Sequence, residues 1–486
     1  MNDSIRKLQP TSLWNNFANL NDIPRPSKKE EKVRKFMMDF GKNLDLETLE
    51  DKIGNVIIKK PATPGMENRK TVVLQSHLDM VTQKNNDVEH DFEKEGINMF
   101  IDGDWVRAKG TTLGADNGLG VAAIMSILES KDLAHPPIEA LFTIDEETGM
   151  TGAKQLDDTI LKGDILLNLD TEEDDEIDIG CAGGIDITAT LHYSEENPGA
   201  EVQAFLVKLT GLKGGHSGMD IHKGLGNANK LMNRILYTGN LAHPIQVAEI
   251  KGGGLRNAIP RESTVKIVVE KSGAEDFKNS VQEEIEAVLK EYQKIEENLK
   301  ITVEETSTPE KVMNQEITSN LLKAVYAAHN GVYRMSPDME DLVETSNNIA
   351  RVEAEDGKIE IQCLTRSSVE SNKQDLTHTL TAVFELAGFE VKTSGNYPGW
   401  QPNPDSEMLK IAEQVYEDLH DEKPRVVACH AGLECGILLE HYPKMDAISF
   451  GPTILGAHSP DERASISSTQ KFWKYLLEIL KNVPER

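Results

Sequence analysis

The order in which strand-like and helix-like segments follow one another is the strongest constraint this chain places on its fold. The stretch PSKKEEKVRKFMMDFGKNL has helical periodicity, and NVIIKK and KTVVLQSHLD are apolar runs of strand length. NGLGVAAIMSILES reads as a helix that begins near Asp116, and IEALFTIDEE and GDILLNLDTE read as strands again. Such alternation specifies an α/β layer around a parallel or mixed sheet. It breaks off near Gly184, where ITATLHYS and EVQAFLVKLTGL give longer alternating strands, followed by the polar helix SVQEEIEAVLKEYQKIEENL. From about Thr318 come a helix (SNLLKAVYAAHNG), a hairpin turning at Asp356-Gly357, another helix and the strand FEVKTSG. An Asp-Gly pair between alternating runs is a strong hairpin signal. Beyond YPGWQPNPD, whose Pro and Asn content reads as a linker, the α/β style returns in SEMLKIAEQVYEDLH, DAISFGP and SSTQKFWKYLLEILKNV. The economical reading is an α/β fold with a discontinuous first domain, 1–186 and 398–486, and an inserted α+β domain, 187–397. A length of 486 residues is too great for one ordinary core.

Composition narrows the partners. The formal net charge of −29 excludes a nucleic-acid partner, because binding phosphate needs a Lys/Arg-rich surface. Hydrophobic content of 38% and charged content of 27% are those of a soluble globular protein. The start, MNDSIRKLQPTSLWNNF, has no apolar core of a secretory signal, and no run is long enough to span a bilayer, so no membrane partner is expected. Cys181, Cys363, Cys429 and Cys435 form no CxxC pair, and they read as reduced thiols of a cytoplasmic protein. In ACHAGLEC the spacing of Cys429 and Cys435 fits no common zinc pattern.

The chemistry gathers at strand ends. Residues two apart in a strand share a face, so His77 and Asp79 project together where KTVVLQSHLD leaves the core. Asp116 lies in the turn TTLGADNG before a helix. Glu146 and Glu147 end one strand, Asp170 ends another, and His458 follows AISFGP after a short loop. Each has an ordinary alternative when taken singly: a solvated strand exit, a helix-capping aspartate, a loop histidine. Together they put two imidazoles and five carboxylates at the carboxyl edge of one sheet, where open α/β sheets bind ligands. Unpaired, so many carboxylates repel and partly protonate; divalent cations resolve the conflict.

SHLDMV, GTTLGADNGLGVA, TIDEETGMTGA, NLDTEE and GAHSPDE resemble, in order, the signature of the co-catalytic zinc peptidases of the aminoacylase and carboxypeptidase type. Within that superfamily the chain is most similar to the bacterial aminoacyl-histidine dipeptidases, which cleave carnosine and other dipeptides. The resemblance extends to GGHSG, GGGLRNAIPR and CLTRSS in the inserted part and covers essentially the whole chain. It implies a catalytic domain carrying an inserted lid. Two divalent metal ions are implied, with Asp116 bridging, His77 and Asp170 on one, and Glu147 and His458 on the other. Ligands of N and O without Cys suit Zn²⁺ and also permit Co²⁺ or Mn²⁺. Glu146 matches the general base, and Asp79 matches the carboxylate that orients His77.

The inserted domain is implied to add substrate-binding residues. His216 matches a histidine that stabilises the oxyanion and that, in dimeric relatives, comes from the partner subunit. Asn257 and Gly432 match residues near the substrate, and Arg366 is suited to hold a substrate carboxylate. Glycine-flanked His216, turn-forming Asn257 and Gly432, and a strand-end Arg366 each have a purely structural alternative. The expected activity is hydrolysis of dipeptides, Xaa-His among them, in an enzyme compatible with a homodimer. An aminotripeptidase, an N-acyl-amino-acid amidohydrolase, a metallophosphoesterase and a non-catalytic protein of this fold stay open as alternatives.

Overall fold

A computed structural model describes residues 2–486. The chain forms two compact units, the first of Met1–Gly180, Trp400–Ala428 and Leu433–Arg486, the second of Cys181–Gly399 and Cys429–Gly432.

The first unit is built on an eight-stranded sheet. Its strand order is Glu47–Glu50, Val56–Lys60, Ile138–Thr143, Val72–His77, Ile165–Asn168, Asp446–Ser449, Glu176–Cys181, Arg425–Cys429. The four strands Ile138–Thr143, Val72–His77, Ile165–Asn168 and Asp446–Ser449 pair parallel to one another. Buried on both faces, Val72, Val73 and Leu74 and Ile165, Leu166 and Leu167 are continuous apolar runs, as parallel strands require. Helix Ala115–Glu129 is apolar nearly all round and almost wholly buried. Gly120 lets it approach the sheet: a Cβ there would meet Ser76 Oγ at 2.4 Å and the Leu169 carbonyl at 2.7 Å.

The second unit has a nine-stranded antiparallel sheet. Its helices include Ala228–Ala242, Ala274–Tyr292, Gln315–Ala327 and Glu370–Leu386. Strand Val202–Thr210 alternates between buried and half-buried positions, the pattern of a sheet with one covered face. Phe205, Val207 and Leu209 meet Leu231, Ile235, Phe277 and Val281 in one core. The hairpin Val343–Glu355/Lys358–Ser367 turns at Asp356 and Gly357, both at positive φ (49° and 73°), as its twist demands.

Two boundaries differ from the sequence reading. The units change over at 180/181 and 399/400 rather than at 186/187 and 397/398. YPGWQPNPD, read as a linker, is packed: Trp400 is buried, and Pro402 and the Trp400 carbonyl lie against Gly180. The return segment also makes an excursion, Cys429–Gly432, that belongs to the second unit, where the Cys429 and Ala431 carbonyls both accept the Ala182 N–H. Composition does not announce a four-residue crossing of that kind. No disulfide joins the four cysteines, and no helix among the described residues is long and apolar enough to cross a membrane.

Candidate metal centre

The parallel block aims its carboxyl ends at one place. His77 is the last residue of Val72–His77, and Asp79 follows it. After Ile138–Thr143 the chain turns at Asp145, which is left-handed at φ 54°, into the short helix Glu146–Gly149. Glu146 and Glu147, though adjacent, both reach the centre, with one oxygen of each within 4.8 Å of the other and of a His77 nitrogen. Asp170 follows Ile165–Asn168 by two residues. His458 sits, also left-handed at φ 62°, between the short strands Ile454–Leu455 and Arg463–Ser465, and the latter pairs with Trp105–Ala108 upstream of the Asp116 turn. Sparse backbone conformations of this kind cluster at functional sites.

Asp116 is the centre of the arrangement. Its Oδ1 lies 3.1 Å from His77 Nε2 and its Oδ2 lies 3.2 Å from His458 Nε2. His77 Nε2 is also 3.5 Å from Asp170 Oδ1, and His458 Nε2 is 2.9 Å from Glu147 Oε2. Three overlapping donor groups result, His77–Asp116–Asp170, Asp116–Glu147–His458 and His77–Glu146–Glu147, each with its atoms within 4.8 Å of one another, and the first two share Asp116. Glu146 Oε2 stands 4.0 Å from His77 Nε2.

Asp79 has two tasks. The His77 Nδ1–H faces it, 3.2 Å from the Asp79 carbonyl and 3.4 Å from its carboxylate. The Asp79 carboxylate accepts the N–H groups of Glu146 (3.0 Å) and Glu147 (3.3 Å) and the Ser27 hydroxyl (2.8 Å). One buried carboxylate therefore fixes both the His77 ring and the backbone that presents the two glutamates. Beneath the centre, a row of side-chain hydrogen bonds ties the strands: Ser449 donates to Asn168, Asn168 to Gln75, and Gln75 to the buried Glu434, which also accepts from Thr143.

Electrostatics shows what the set lacks. Burial would raise Asp116, yet His458 and His77 hold it well below the usual carboxylate range. Burial would lower His77, but Asp170, Asp116 and Asp79 raise it well above an ordinary imidazole. Asp116 and Glu147 push His458 up to about 11. Burial raises Glu146, Glu147 and Asp170, and their carboxylate neighbours add to it. Glu147 Oε1 and Asp170 Oδ1 are buried without a hydrogen-bond partner. Unpartnered acceptors, imidazole nitrogens and excess negative charge within one small space fit divalent cations. Glu30, Asp79 and Asp145 form another close acidic group, but hydrogen bonds engage at least one oxygen of each. Glu30 accepts the Lys28 and Asp145 N–H groups, and Asp145 accepts the Thr148 and Thr151 hydroxyls, so that group is a braced turn.

Because both imidazoles hold protons in the metal-free protein, metal uptake must displace them. Titration calorimetry at pH 7 in buffers of different ionisation enthalpy is expected to show release of roughly two protons, with affinity rising as pH rises. No release would contradict this charge state.

The remaining expected residues lie in the second unit. His216 pairs with Ala258 in a two-stranded ribbon, Gly215–His216 with Ala258–Ile259. Its Nδ1 accepts the Gly218 and Met219 N–H groups (3.2 and 3.1 Å), so the hydrogen-bond network assigns the ring proton to Nε2. Asn257 is exposed beside this ribbon, and its carbonyl accepts the Ser217 N–H. Arg366 is buried; it donates to the Tyr397 hydroxyl at 2.9 Å, and its Nε has no partner. Gly432 is half-buried, two residues past His430, whose carbonyl sits over Gly218. His430, the histidine of ACHAGLEC, was given no role in the sequence reading. It bonds Ser346 Oγ through Nε2 at 2.8 Å, and burial together with the Arg366 charge lowers it to about 3, so it is neutral. The sequence reading gave no role to Glu434, Glu462 and Arg25, although Glu434 lies inside ACHAGLEC and Glu462 inside GAHSPDE.

Two imidazoles and three carboxylates gathered around one central aspartate at the carboxyl edge of an α/β sheet suit a pair of divalent cations, and the relatives of this chain are metallopeptidases. The model of Peptidase family M20/M25/M40 matches residues 73–482, and the chain belongs to that family. It is 42% identical over 482 residues to the cytosol non-specific dipeptidase of Escherichia coli (strain K12), with 99% of both chains covered. The crystal structure of aminoacylhistidine dipeptidase from Vibrio alginolyticus matches with a TM-score of 0.94 and 45% identity, covering 99% of this chain and 98% of that one. Aminopeptidase PepT from Bacillus cereus shares the fold, at a TM-score of 0.58 and 15% identity over 98% of this chain and 99% of that one.

Proposed function

We propose that this chain is a metal-dependent dipeptidase that hydrolyses the peptide bond of unblocked dipeptides, Xaa-His dipeptides among them, with Glu146 as general base. The observation that carries the reading is the division of Asp116, one oxygen toward His77 and the other toward His458. Full-length similarity to two dipeptidases supports the substrate class.

His77, Asp116 and Asp170 would hold one divalent cation, and Asp116, Glu147 and His458 the other. Zn²⁺ suits these donors best, and Co²⁺ and Mn²⁺ are accepted by the same set. Such ions supply Lewis acidity that polarises a carbonyl and eases the ionisation of water. Glu146 takes the proton of the attacking water and returns it to the leaving amine; its burial, which raises its pKa, suits a group that must both accept and release. Asp79 keeps the His77 ring and the Glu146 backbone in register. In the second unit, the Nε2–H of His216 is the donor for the oxyanion, Arg366 pairs with the substrate carboxylate, and Asn257 and Gly432 bound the substrate. The reading includes a cytoplasmic enzyme and is compatible with a homodimer, with His216 serving either its own site or the partner's.

The test is a panel of unblocked dipeptides, tripeptides and N-acyl amino acids, run before and after chelation. Dipeptides, Xaa-His included, are expected to be cleaved fastest, with activity lost on chelation and restored by Zn²⁺. Preference for tripeptides or N-acyl amino acids would overturn the substrate class.

A further inference from the structure

The Asp116 turn is held by two buried charges from opposite ends of the chain. Glu462 is 2% exposed, and its carboxylate accepts four successive backbone N–H groups: Leu113 (2.6 Å) and Gly114 (2.9 Å) on Oε2, Ala115 (2.7 Å) and Asp116 (3.3 Å) on Oε1. Arg25 is 1% exposed and takes the opposite side of the same segment. Its Nη2 donates to the Gly114 carbonyl (2.5 Å) and to Asn21 Oδ1 (3.1 Å), and its Nη1 donates to the carbonyls of Leu78 and Asp79 (both 3.1 Å). Burial lowers Arg25 to about 10, and among the charges that oppose this Glu462 is the largest; burial likewise raises Glu462, to about 7, against the N–H groups of Gly114, Leu113 and Ala115, which favour its ionised form. The left-handed Gly114, at φ 70°, is open to both, since a Cβ there would meet Arg25 Nη2 at 2.5 Å. Glu462 also closes the loop that carries His458, its N–H donating to the Ser459 carbonyl.

We propose that Glu462 and Arg25 form a buried charge pair acting through the backbone between them, a clamp that assembles the Asp116 turn and the His458 loop before any metal arrives. Both are positioning residues. The inference rests on reading Asp116 and His458 as metal ligands. The physical reason is the cost of each charge alone. A buried carboxylate is tolerated when hydrogen bonds and an opposite charge compensate it, and removing one partner leaves the other uncompensated. Glu462 supplies acceptors to four N–H groups that begin a helix, where negative charge is favoured. Arg25 reaches the carbonyls of residues 78 and 79, next to His77, so the pair couples the turn bearing Asp116 to the strand end bearing His77.

The full-length chain, stripped of metal, is titrated with Zn²⁺ against a chromophoric chelator, and its metal-free melting is followed by circular dichroism. Glu462→Gln puts an amide NH₂ against backbone donors, and it is expected to fold yet bind Zn²⁺ about 10- to 100-fold more weakly, with turnover recovering in excess Zn²⁺. A folded Glu462→Gln with parental Zn²⁺ affinity would overturn the clamp. The double variant Glu462→Gln/Arg25→Met removes both charges. Its Tm loss is expected to be smaller than the sum of the two single losses, with Zn²⁺ binding still weak. Additive losses, or a double variant that does not fold, would overturn the pairing even if a single variant proves too unstable to titrate. A parent chain that bound no Zn²⁺ would refute the metal reading itself, and the melting cycle would then decide the clamp on its own.

Discussion

Replacing Glu146 with glutamine is expected to lower kcat by about 10²- to 10⁴-fold while the metal content stays at the parental level. Glutamine keeps the size of the side chain, and the Glu146 N–H that Asp79 accepts belongs to the backbone, so the helical turn after Asp145 survives. The carboxylate stands 4.0 Å from His77 Nε2, farther than Asp116 or Asp170, which is the placement of a group that works beside the cations. What disappears is an acceptor for the water proton and a donor to the leaving amine. Metal analysis and single-turnover rates on the same sample decide the matter. A variant that turns over at nearly the parental rate would remove Glu146 from the mechanism, and a variant that lost its metals would make it a ligand instead.

Asp116→Asn is expected to cost more, because one side chain serves both donor groups. An asparagine offers a single carbonyl oxygen, so one of His77 and His458 would face an NH₂ group instead of an acceptor. Metal stoichiometry should fall, and activity should drop further than the roughly 10- to 100-fold that removing an orienting partner costs. Stability adds a signed test. The folded-state pKa of Asp116 is depressed, so its contribution to the metal-free protein is present above the unfolded value of 3.8 and is lost as pH falls through the folded value. The metal-free variant should therefore melt below the parent at neutral pH, and the gap should close in strong acid. A gap that widened on acidification would contradict the ion-pair account.

Much of the centre was legible because its residues occupy positions that local pattern identifies. An apolar run that stops at His77, another that stops before Glu146 and a third that stops before Asp170 each mark a strand end, and parallel strand ends converge by topology. The Asp356-Gly357 hairpin was legible for the same reason, since two positive-φ residues between alternating runs allow one geometry. What pattern does not reveal is pairing across long separations. Glu462 lies 349 residues from Leu113, whose N–H it accepts, and Glu434 lies 359 residues from Gln75. A lone glutamate near a motif looks solvated until the fold buries it. YPGWQPNPD misled for the opposite reason: turn-forming residues also suit a packed irregular segment, and the burial of Trp400 depends on the sheet it returns to. Cys429–Gly432 crosses to the other unit without any Pro or Gly cluster to mark its start.

The strand order also dictates when the enzyme can come alive during its own synthesis. In the first unit's sheet, Asp446–Ser449 lies between Ile165–Asn168 and Glu176–Cys181. A ribosome making this chain therefore releases two strands whose shared neighbour arrives only after more than half of the protein has followed. Over that interval His77, Asp116, Glu147 and Asp170 have emerged without His458, and the Asp116 turn lacks Glu462. A nascent chain thus carries an unfinished cation trap and an open slot in its main sheet, both completed by the same late segment. On the proposed assignment, loss of that segment by premature termination or proteolysis is expected to remove His458 and the keystone strand in a single event, leaving a truncated product with no half-active form.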